Sequence, residues 1–206
     1  MNEEKKLLII GAGGHGRVVA DVARLCGYIE VSFLDDSYGT DAAACNVVDK
    51  VCAANKYYCT HDFFVAIGKS EIRERIMNEI KSDGGILATL VHPSAVIGSN
   101  VEIGCGSVVM AGVVINAGAV IGDGVIINTS SSVDHDCRIG NYVHVSVGAH
   151  LAGTVKVGKR TMIGAGATVI NNIDICEDCM VGAGAVVVRN IKNSGTYIGV
   201  PSRLKK

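Results

Sequence analysis

The segment Asp134-His135-Asp136 has the residue types that most directly suggest chemistry. A carboxylate beside an imidazole fixes its tautomer and raises its basicity, which suits a general base working near neutral pH. A solvated surface histidine between two surface aspartates explains the same spacing equally well. The residues alone therefore leave both interpretations open.

Two further histidines, His144 and His150, follow in the same region. Together with His135 they raise a zinc interpretation, since parallel β-helix hydratases share histidine-bound zinc between subunits. The repeat described below places His144 and His150 on different faces, and no supporting shell of residues is evident. On spacing alone, His144 is better explained as filling a protein interface.

The chain has eight cysteines. We predict reduced thiols, because no secretory signal is recognisable and the repeat supplies a core without staples. Cys176 and Cys179 form a Cys-x-x-Cys pair, but the repeat predicts that Cys179 points inward and Cys176 outward. We therefore expect the pair not to chelate a metal ion.

A glycine-rich loop near the start is the second candidate site. Gly11, Gly13 and Gly16 satisfy the pattern G-x-G-x-x-G, and Asp35 ends the next predicted strand, where a ribose-binding carboxylate belongs. Backbone N–H groups of such a loop, with the following helix N-terminus, hold phosphate. A nicotinamide-dependent dehydrogenase fits the loop, but the α/β segment is too short for a second mononucleotide half, so a single nucleotide fits better. A glycine turn that only packs helix on strand is the alternative, and His15 either contacts a ligand or caps the helix.

The glycine loop belongs to a segment that alternates strand and helix patterns. We predict strands at 5–10, 31–34, 62–67 and 86–91, a turn at 11–16 and helices at 18–26 and 70–81. A weakly patterned stretch with Cys45, Cys52 and Cys59 lies between them. The pattern predicts a small Rossmann-like parallel sheet over residues 1–91, with the domain junction at His92-Pro93.

From Ile97 to Val187, every sixth residue is Ile, Val or Leu without a break. Neither a helix nor an alternating strand singles out one residue in six, whereas a coil of three short strands does. The residue four places after each aliphatic one is mostly small or β-branched and is also predicted to point inward. Residues 92–206 are therefore predicted to form a triangular parallel β-helix with a C-terminal tail.

The outward positions repeat every eighteen residues and define three faces. The charged face carries Glu102, Val120, Arg138, Lys156 and Asp174; the apolar face carries Val108, Ile126, His144, Met162 and Met180; the third face carries Val114, Ser132, His150, Thr168 and Val186. Long exposed apolar columns mark protein interfaces, so we expect the apolar face to pack on another copy. His135 falls at a corner between two faces.

The composition gives no reason to expect nucleic acid or an anionic membrane as partner, because the formal net charge is -1. The first apolar run, residues 7–10, is too short for a signal peptide or a membrane span. The expectation is a cytoplasmic protein.

Short motifs spread over nearly the whole chain point to one family. They are Gly11-Ala-Gly-Gly-His-Gly16, Phe33-Leu-Asp-Asp36, Ala66-Ile-Gly68, Ile127-Asn-Thr-Ser130, Asp134-His135-Asp136, His144-Val-Ser-Val-Gly-Ala149, Leu151-Ala-Gly153 and Gly199-Val-Pro201. In this combination the chain resembles the NeuD/PglD family of bacterial sugar acetyltransferases. It is most similar to the PglD branch of the bacillosamine pathway, which uses acetyl-CoA to N-acetylate the 4-amino group of a UDP-linked 4-amino-4,6-dideoxy sugar.

The resemblance implies a left-handed β-helix, a homotrimer, an active site between adjacent subunits, and acetyl-CoA as co-substrate with no metal. It implies that His135 is the general base and Asp136 its supporting carboxylate. The implied substrate-binding residues are Gly13, Gly14, His15, Asp35, Asp36, Gly68 and Asn128. The implied acetyl-CoA-binding residues are His144, Gly153, Ala165 and Ala183.

The chain departs from the family pattern in two places. The PglD branch has glutamates where this chain has Asp134 and Asp136, so we expect the shorter carboxylates to lie farther from the imidazole or to approach it differently. The segment between Asp36 and Gly68 is longer here, which leaves the uracil and ribose contacts unassigned.

From this resemblance we expect direct transfer, in which His135 takes a proton from the sugar amine and a backbone N–H such as that of Gly153 stabilises the oxyanion. Three other functions remain: O-acetylation, as in the sialic acid branch of the family, a non-catalytic scaffold that binds nucleotide sugars, and a zinc hydratase.

Overall fold

The computed structural model describes residues 5–40 and 46–205. The chain divides into two compact units, Met1–His92 and Pro93–Lys206. Neither α-helix, of 12 and 13 residues, has the length and apolar character needed to cross a bilayer in the described parts of the chain.

The first unit is built on a parallel sheet of five strands in the order β3-β2-β1-β4-β5. Its elements are β1 (Lys6–Ile10), α1 (Gly14–Leu25), β2 (Glu30–Leu34), β3 (Val47–Asp49), a 3-10 helix (Val51–Tyr57), β4 (Asp62–Val65), α2 (Ser70–Ser82), β5 (Ile86–Leu87) and the short β6 (Leu90–Val91). All four residues of β1 that follow Lys6 are fully buried. The predicted small parallel sheet is therefore confirmed.

Two local predictions in this unit are wrong. Helix α1 begins at Gly14 rather than at residue 18, so the helix includes half of the predicted turn. A Cβ at Gly16 would overlap the Gly11 carbonyl oxygen, so this glycine allows the first turn of α1 to approach β1 closely. The predicted strand at 86–91 is two separate strands, and the weakly patterned stretch contains β3 and the 3-10 helix; Cys45 lies outside the described residues.

The second unit is the β-helix, in which each hexad contributes one short strand. The strands are β7 (Val96–Ile97), β8 (Glu102–Ile103), β9 (Val108–Val109), β10 (Val114–Ile115), β11 (Val120–Ile121), β12 (Ile126–Ile127), β13 (Ser132–Val133), β14 (Arg138–Ile139), β15 (His144–Val145), β16 (His150–Leu151), β17 (Lys156–Val157), β18 (Met162–Ile163), β19 (Thr168–Val169), β20 (Asp174–Ile175), β21 (Cys179–Val181), β22 (Val186–Val187), β23 (Gly195–Ile198) and β24 (Arg203–Leu204).

These strands form three parallel sheets, because every third strand pairs in register with its neighbours eighteen residues away, as Val133 does with Leu151. The third-face sheet runs from β7 to β22, the charged-face sheet from β8 to β20, and the apolar-face sheet from β9 to β23, where β24 is added antiparallel. The parallel β-helix predicted from the hexads is confirmed, and the repeated parallel strands are those of the left-handed hexapeptide β-helix that the resemblance implied.

Both predicted sets of inward residues fill the prism. From Val109 to Val187 every aliphatic hexad residue is buried, and the second inward position is buried from Ser107 onward. The first coil departs from the pattern, since Ile97 is 38% exposed.

The apolar face is only partly exposed, which corrects the expectation of a continuous exposed column. Val108 and Ile126 are fully buried within the chain, His144 and Met162 are half-buried, and Met180 is exposed. The surface left for another copy on this face is therefore limited to the part that carries His144, Met162 and Met180.

The repeat offers a matched test of core packing, because Ile97 and Ile115 occupy the same hexad position and pair with each other in one sheet. Ile115 is fully buried and Ile97 is 38% exposed. We expect Ile115→Ala to lower the free energy of unfolding by about 2–5 kcal/mol and Ile97→Ala to lower it much less. Urea denaturation of both variants measures this, and equal losses would contradict the assigned core.

Candidate active site

His135 projects from the corner between β13 and β14, with 57% of its side chain exposed. Its Nδ1 lies 2.9 Å from Oδ2 of Asp136. The shorter carboxylate of Asp136 therefore reaches hydrogen-bond distance of the imidazole. Asp136 adopts a left-handed backbone conformation (φ 57°), which brings its carboxylate back toward the preceding residue. With Nδ1 engaged, Nε2 is the nitrogen left for a substrate.

The carboxylates around His135 favour its protonated form. The hydrogen bond to Asp136 is the largest influence, and it raises the pKa of His135 together with the negative charges of Asp134 and Asp136. Hydrogen bonds from Asn116 and from the His135 backbone N–H lower the pKa of Asp134, which therefore stays ionised at neutral pH. The corner thus holds an imidazole that is more basic than a free histidine.

Two glycines leave the space that this pair occupies. A Cβ at Gly153, eighteen residues after His135 in the next coil (the coil below), would overlap Nε2 of His135. A Cβ at Gly118, eighteen residues before Asp136 in the preceding coil (the coil above), would overlap Oδ1 of Asp136. The imidazole therefore packs directly on the Gly153 backbone. This places a peptide group beside the nitrogen that would exchange a proton.

The Gly153 N–H is a candidate oxyanion donor. The equivalent corner N–H groups of Cys105, Asp123, Thr129 and His135 donate to side-chain oxygens of Asp or Asn residues. The acceptor is the preceding residue for Thr129 and His135 and the residue eighteen places later for Cys105 and Asp123. For Gly153 these residues are Ala152 and Asn171, and its N–H donates to no acceptor among residues 5–40 and 46–205. The donor predicted for the oxyanion therefore lies next to His135 without a competing partner in the described chain.

Asn128 and His144 form a second polar pair, with 3.1 Å between Nδ2 and Nε2. His144 belongs to β15 of the apolar-face sheet and Asn128 follows β12 in the same sheet. His135 lies at a corner of another sheet, so the structure groups Asn128 with His144 but does not bring either into contact with His135. His150 lies on the third face, exposed, with Nδ1 2.9 Å from the Ser132 hydroxyl.

Ala165 and Ala183 occupy equivalent corners of successive coils, between the apolar and third faces. Both are exposed, and the Ala165 carbonyl accepts the N–H of Gly184 at 2.9 Å. The two alanines therefore form a small-residue edge along which an extended ligand has access to the backbone.

In the first unit, Asp35 holds the glycine loop. Its Oδ2 accepts the Ala12 N–H at 2.8 Å, and its Oδ1 accepts the Ser37 hydroxyl at 2.6 Å and the Ser37 N–H at 2.9 Å. The Ala12 hydrogen bond is the largest cause of a lowered Asp35 pKa. An ionised carboxylate has about four acceptor positions, so it can hold the loop and still accept from a ligand. Asp36 is more weakly engaged, with Oδ1 3.4 Å from the Val51 N–H.

His15 lies in the first turn of α1 and has a buried Nε2 with no hydrogen-bond partner in the described chain. Burial and, secondarily, the charge of Arg73 lower its pKa to about 4, so the ring is neutral at physiological pH. A Cβ placed at Gly13, Gly14 or Gly68 would meet no atom within 4 Å. The loop thus presents open backbone and an uncapped helix N-terminus, the arrangement that binds phosphate groups.

Arg73 is a residue of this region that the sequence reasoning missed. It is fully buried in α2, and its Nη1 donates to the carbonyls of Ile67 and Gly68 at 2.7 and 3.0 Å. It occupies a helix face with Ile76, Met77 and Ile80, which are also buried. A charged residue within that apolar stripe was the signal in the sequence.

Cys179 is buried and Cys176 is half-buried, as the inward and outward positions predicted, but their Sγ atoms lie only 3.3 Å apart, so these positions do not separate the two sulfurs. The buried Thr161 hydroxyl donates to the Cys176 carbonyl and accepts the Cys179 N–H, which closes the corner and turns the two side chains together. The seven cysteines in the described residues are free thiols. In the same residues, no group of three or more His, Cys, Asp or Glu side chains is arranged to hold a metal ion.

The two units match two known protein families. Residues 6–80 match the PglD N-terminal domain, and residues 94–129 match the bacterial transferase hexapeptide (six repeats). A nucleotide-binding type of sheet followed by a hexapeptide β-helix with an exposed histidine–carboxylate pair defines a hexapeptide acyltransferase.

Individual relatives narrow this class. The chain is 30% identical to GDP-perosamine N-acetyltransferase of Escherichia coli O157:H7 over 152 residues, 70% of this chain and 69% of the relative. It is 34% identical to UDP-N-acetylbacillosamine N-acetyltransferase of Bacillus subtilis (strain 168) over 112 residues, 52% of each chain. The acetyltransferase domain of PglB from Neisseria gonorrhoeae FA1090, solved with acetyl coenzyme A, superposes with a TM-score of 0.93 at 39% identity, covering 98% of this chain and 100% of that one.

The chain belongs to the NeuD/PglD family of acetyl-CoA-dependent sugar acetyltransferases, as its motifs predicted.

Proposed function

We propose that this protein transfers the acetyl group of acetyl-CoA to the 4-amino group of a UDP-linked 4-amino-4,6-dideoxy sugar, with His135 as general base. The observation that carries the proposal is the His135–Asp136 pair packed on Gly153, which places a basic nitrogen beside an unpaired N–H. The names of the relatives support an amino-sugar acceptor carried by a nucleoside diphosphate.

The reaction follows from these groups. Nε2 of His135 removes a proton as the sugar amine attacks the thioester carbonyl, and a C–N bond forms. The Gly153 N–H stabilises the negative charge that develops on the carbonyl oxygen. When the C–S bond breaks, the imidazolium returns its proton to the departing thiolate, so that the products are the N-acetyl sugar and CoA. Asp136 holds the imidazole so that Nε2 is free, and it stabilises the transient imidazolium.

The first unit is assigned to the nucleotide. Its glycine loop, the N-terminus of α1 and the neutral His15 suit a diphosphate, because they offer donors without a competing carboxylate in the first turn of the helix. Asp35 and Asp36 follow β2, where a ribose or base is contacted in folds of this type. Gly68 completes this region, with its carbonyl held by Arg73.

The second unit is assigned to acetyl-CoA and to assembly as a homotrimer. His135 and the pair Asn128–His144 lie on different sheets of one prism, so a neighbouring copy can complete a site with one group from each. The exposed edge of Ala165 and Ala183 is the proposed path of the pantetheine arm, whose two amide groups can hydrogen-bond with peptide groups.

The activity test is release of free thiol from acetyl-CoA with UDP-linked 4-amino sugars, GDP-linked 4-amino sugars and sialic acid as acceptors. We expect turnover with the UDP-amino sugar, and His135→Ala should lower it by roughly 10²- to 10⁴-fold. His61→Ala is the matched control, because His61 is a histidine of the first unit that pairs with Glu30. Turnover with hydroxyl acceptors only, or a fully active His135→Ala variant, would contradict the proposal.

The pH dependence of kcat/KM tests the role of Asp136. The base must be deprotonated to accept a proton, so the rate rises as pH passes through the pKa of His135, which Asp136 raises. Asp136→Asn removes the negative charge that makes this hydrogen bond favour the imidazolium. We expect the acidic limb to move to lower pH and the plateau rate to fall, whereas an unchanged limb would show that another group is titrating.

Assembly is tested separately by size-exclusion chromatography with light scattering. We expect a trimer at micromolar concentration, and Met180→Glu, which places a charge on the exposed part of the apolar face, should weaken it. A monomeric wild-type protein would contradict the shared site.

A further inference from the structure

Asn116 is hydrogen-bonded to the corner that carries His135. Nδ2 of Asn116 donates to Oδ1 of Asp134 at 2.8 Å, and that same oxygen accepts the backbone N–H of His135 at 2.7 Å. Asp134 is therefore held between the coil above and the peptide of the histidine itself. Nothing in the proposed reaction requires Asn116 to touch a substrate.

The β-helix fixes this contact in space. Asn116 follows β10 and Asp134 follows β13, and these strands pair with Val114 opposite Ser132 and Ile115 opposite Val133. The backbone N–H of Asn116 donates to the Val133 carbonyl at 2.9 Å, so the two side chains are stacked by the ladder itself. In the coil below, the equivalent position is Ala152, which cannot continue the stack.

We infer that Asn116 is a positioning residue for the general base, acting through Asp134, and this inference rests on the proposed function. Asn116 fixes the rotamer of the Asp134 carboxylate, which in turn anchors the His135 peptide and keeps a negative charge beside the imidazole. Without Asn116, one of the two hydrogen bonds of that oxygen is lost and the exposed carboxylate is free to turn toward water.

Few charged groups besides Asp134 act on the imidazole of His135. Asp136 is the other charged group that acts on His135. The neighbouring coils present only uncharged residues at this corner: Asn116, Ala117 and Gly118 above, and Ala152, Gly153 and Thr154 below. A loosened Asp134 therefore lowers the pKa of His135, because fewer carboxylates then stabilise the imidazolium.

The Asn116–Asp134 contact also lies on the wall of a cavity of about 360 Å³ that includes His150 and Ile170. This raises the other role that Asn116 could have, a direct contact with the acceptor sugar. The two roles differ in kinetics: a positioning residue changes kcat and the pH profile, whereas a substrate contact changes KM for the sugar.

The test compares Asn116→Ala with Asn141→Ala. Asn141 is also an exposed asparagine that bonds eighteen residues away, since its Oδ1 accepts the Asp123 N–H, but it lies at the next corner of the prism, between β14 and β15. We expect Asn116→Ala to lower kcat roughly two- to fivefold and to move the acidic limb to lower pH by roughly a few tenths of a unit. The KM values of Asn116→Ala should equal those of the wild type. Asn141→Ala should change neither kcat nor the acidic limb.

A double-mutant cycle separates action through Asp134 from any other action. In an Asp134→Ala background the Asn116→Ala change should have no further effect on kcat or on the limb, because its partner is gone. Full additivity, or an effect confined to KM for the sugar, would overturn the inference.

The titration of His135, followed by its ring-proton NMR signal and assigned with His135→Ala, supplies a readout that needs no turnover. A lower pKa in Asn116→Ala supports the contact even if the acceptor proves to be a different sugar. An unchanged His135 titration would overturn the inference while leaving the acetyl-transfer proposal standing.

Discussion

The eighteen-residue register between coils is the constraint on which the active-site chemistry depends. From β7 to β22, every pairing joins strands three places apart in the chain, and none of these pairings has a shift in register. Any corner side chain therefore meets the residues eighteen places earlier and later in the sequence. Buried side chains at two inward positions, aliphatic at one and mostly small or β-branched at the other, maintain this register, because a shift would expose them. The environment of a functional group is thus specified by residues far from it in sequence.

For His135 this constraint supplies both room and support. The coil below gives Gly153, on which the ring packs, and the coil above gives Asn116 and Gly118, one bonded to Asp134 and the other leaving space for Asp136. A side chain at either glycine would displace the pair. The wall also orients this exposed histidine, because its partner carboxylate is positioned by the backbone of the corner rather than by burial.

The hexads allowed the β-helix, its core and the corner position of His135 to be predicted, because one inward aliphatic residue per strand is a local and repeated signal. The failures are non-local. The sulfurs of Cys176 and Cys179 meet because Thr161, in the preceding coil, closes their corner. The burial of Val108 and Ile126 and the role of Arg73 depend on tertiary packing, which hexad arithmetic and helix periodicity do not contain. Helix α1 begins early because its glycine-rich first turn packs closely on β1, a tertiary contact that outweighs poor helix propensity.

The length of the carboxylate at position 136 shows how backbone and side chain compensate. Aspartate tolerates the left-handed conformation better than most residues, and in that conformation its short side chain reaches Nδ1 of the preceding histidine at 2.9 Å. A glutamate gains reach but has more rotamers to lose and a weaker preference for this backbone. The aspartate therefore orients the imidazole at a lower entropic cost, provided that the corner keeps its shape. Since that shape is imposed by the ladder, the short carboxylate and the uninterrupted repeat are two parts of one arrangement.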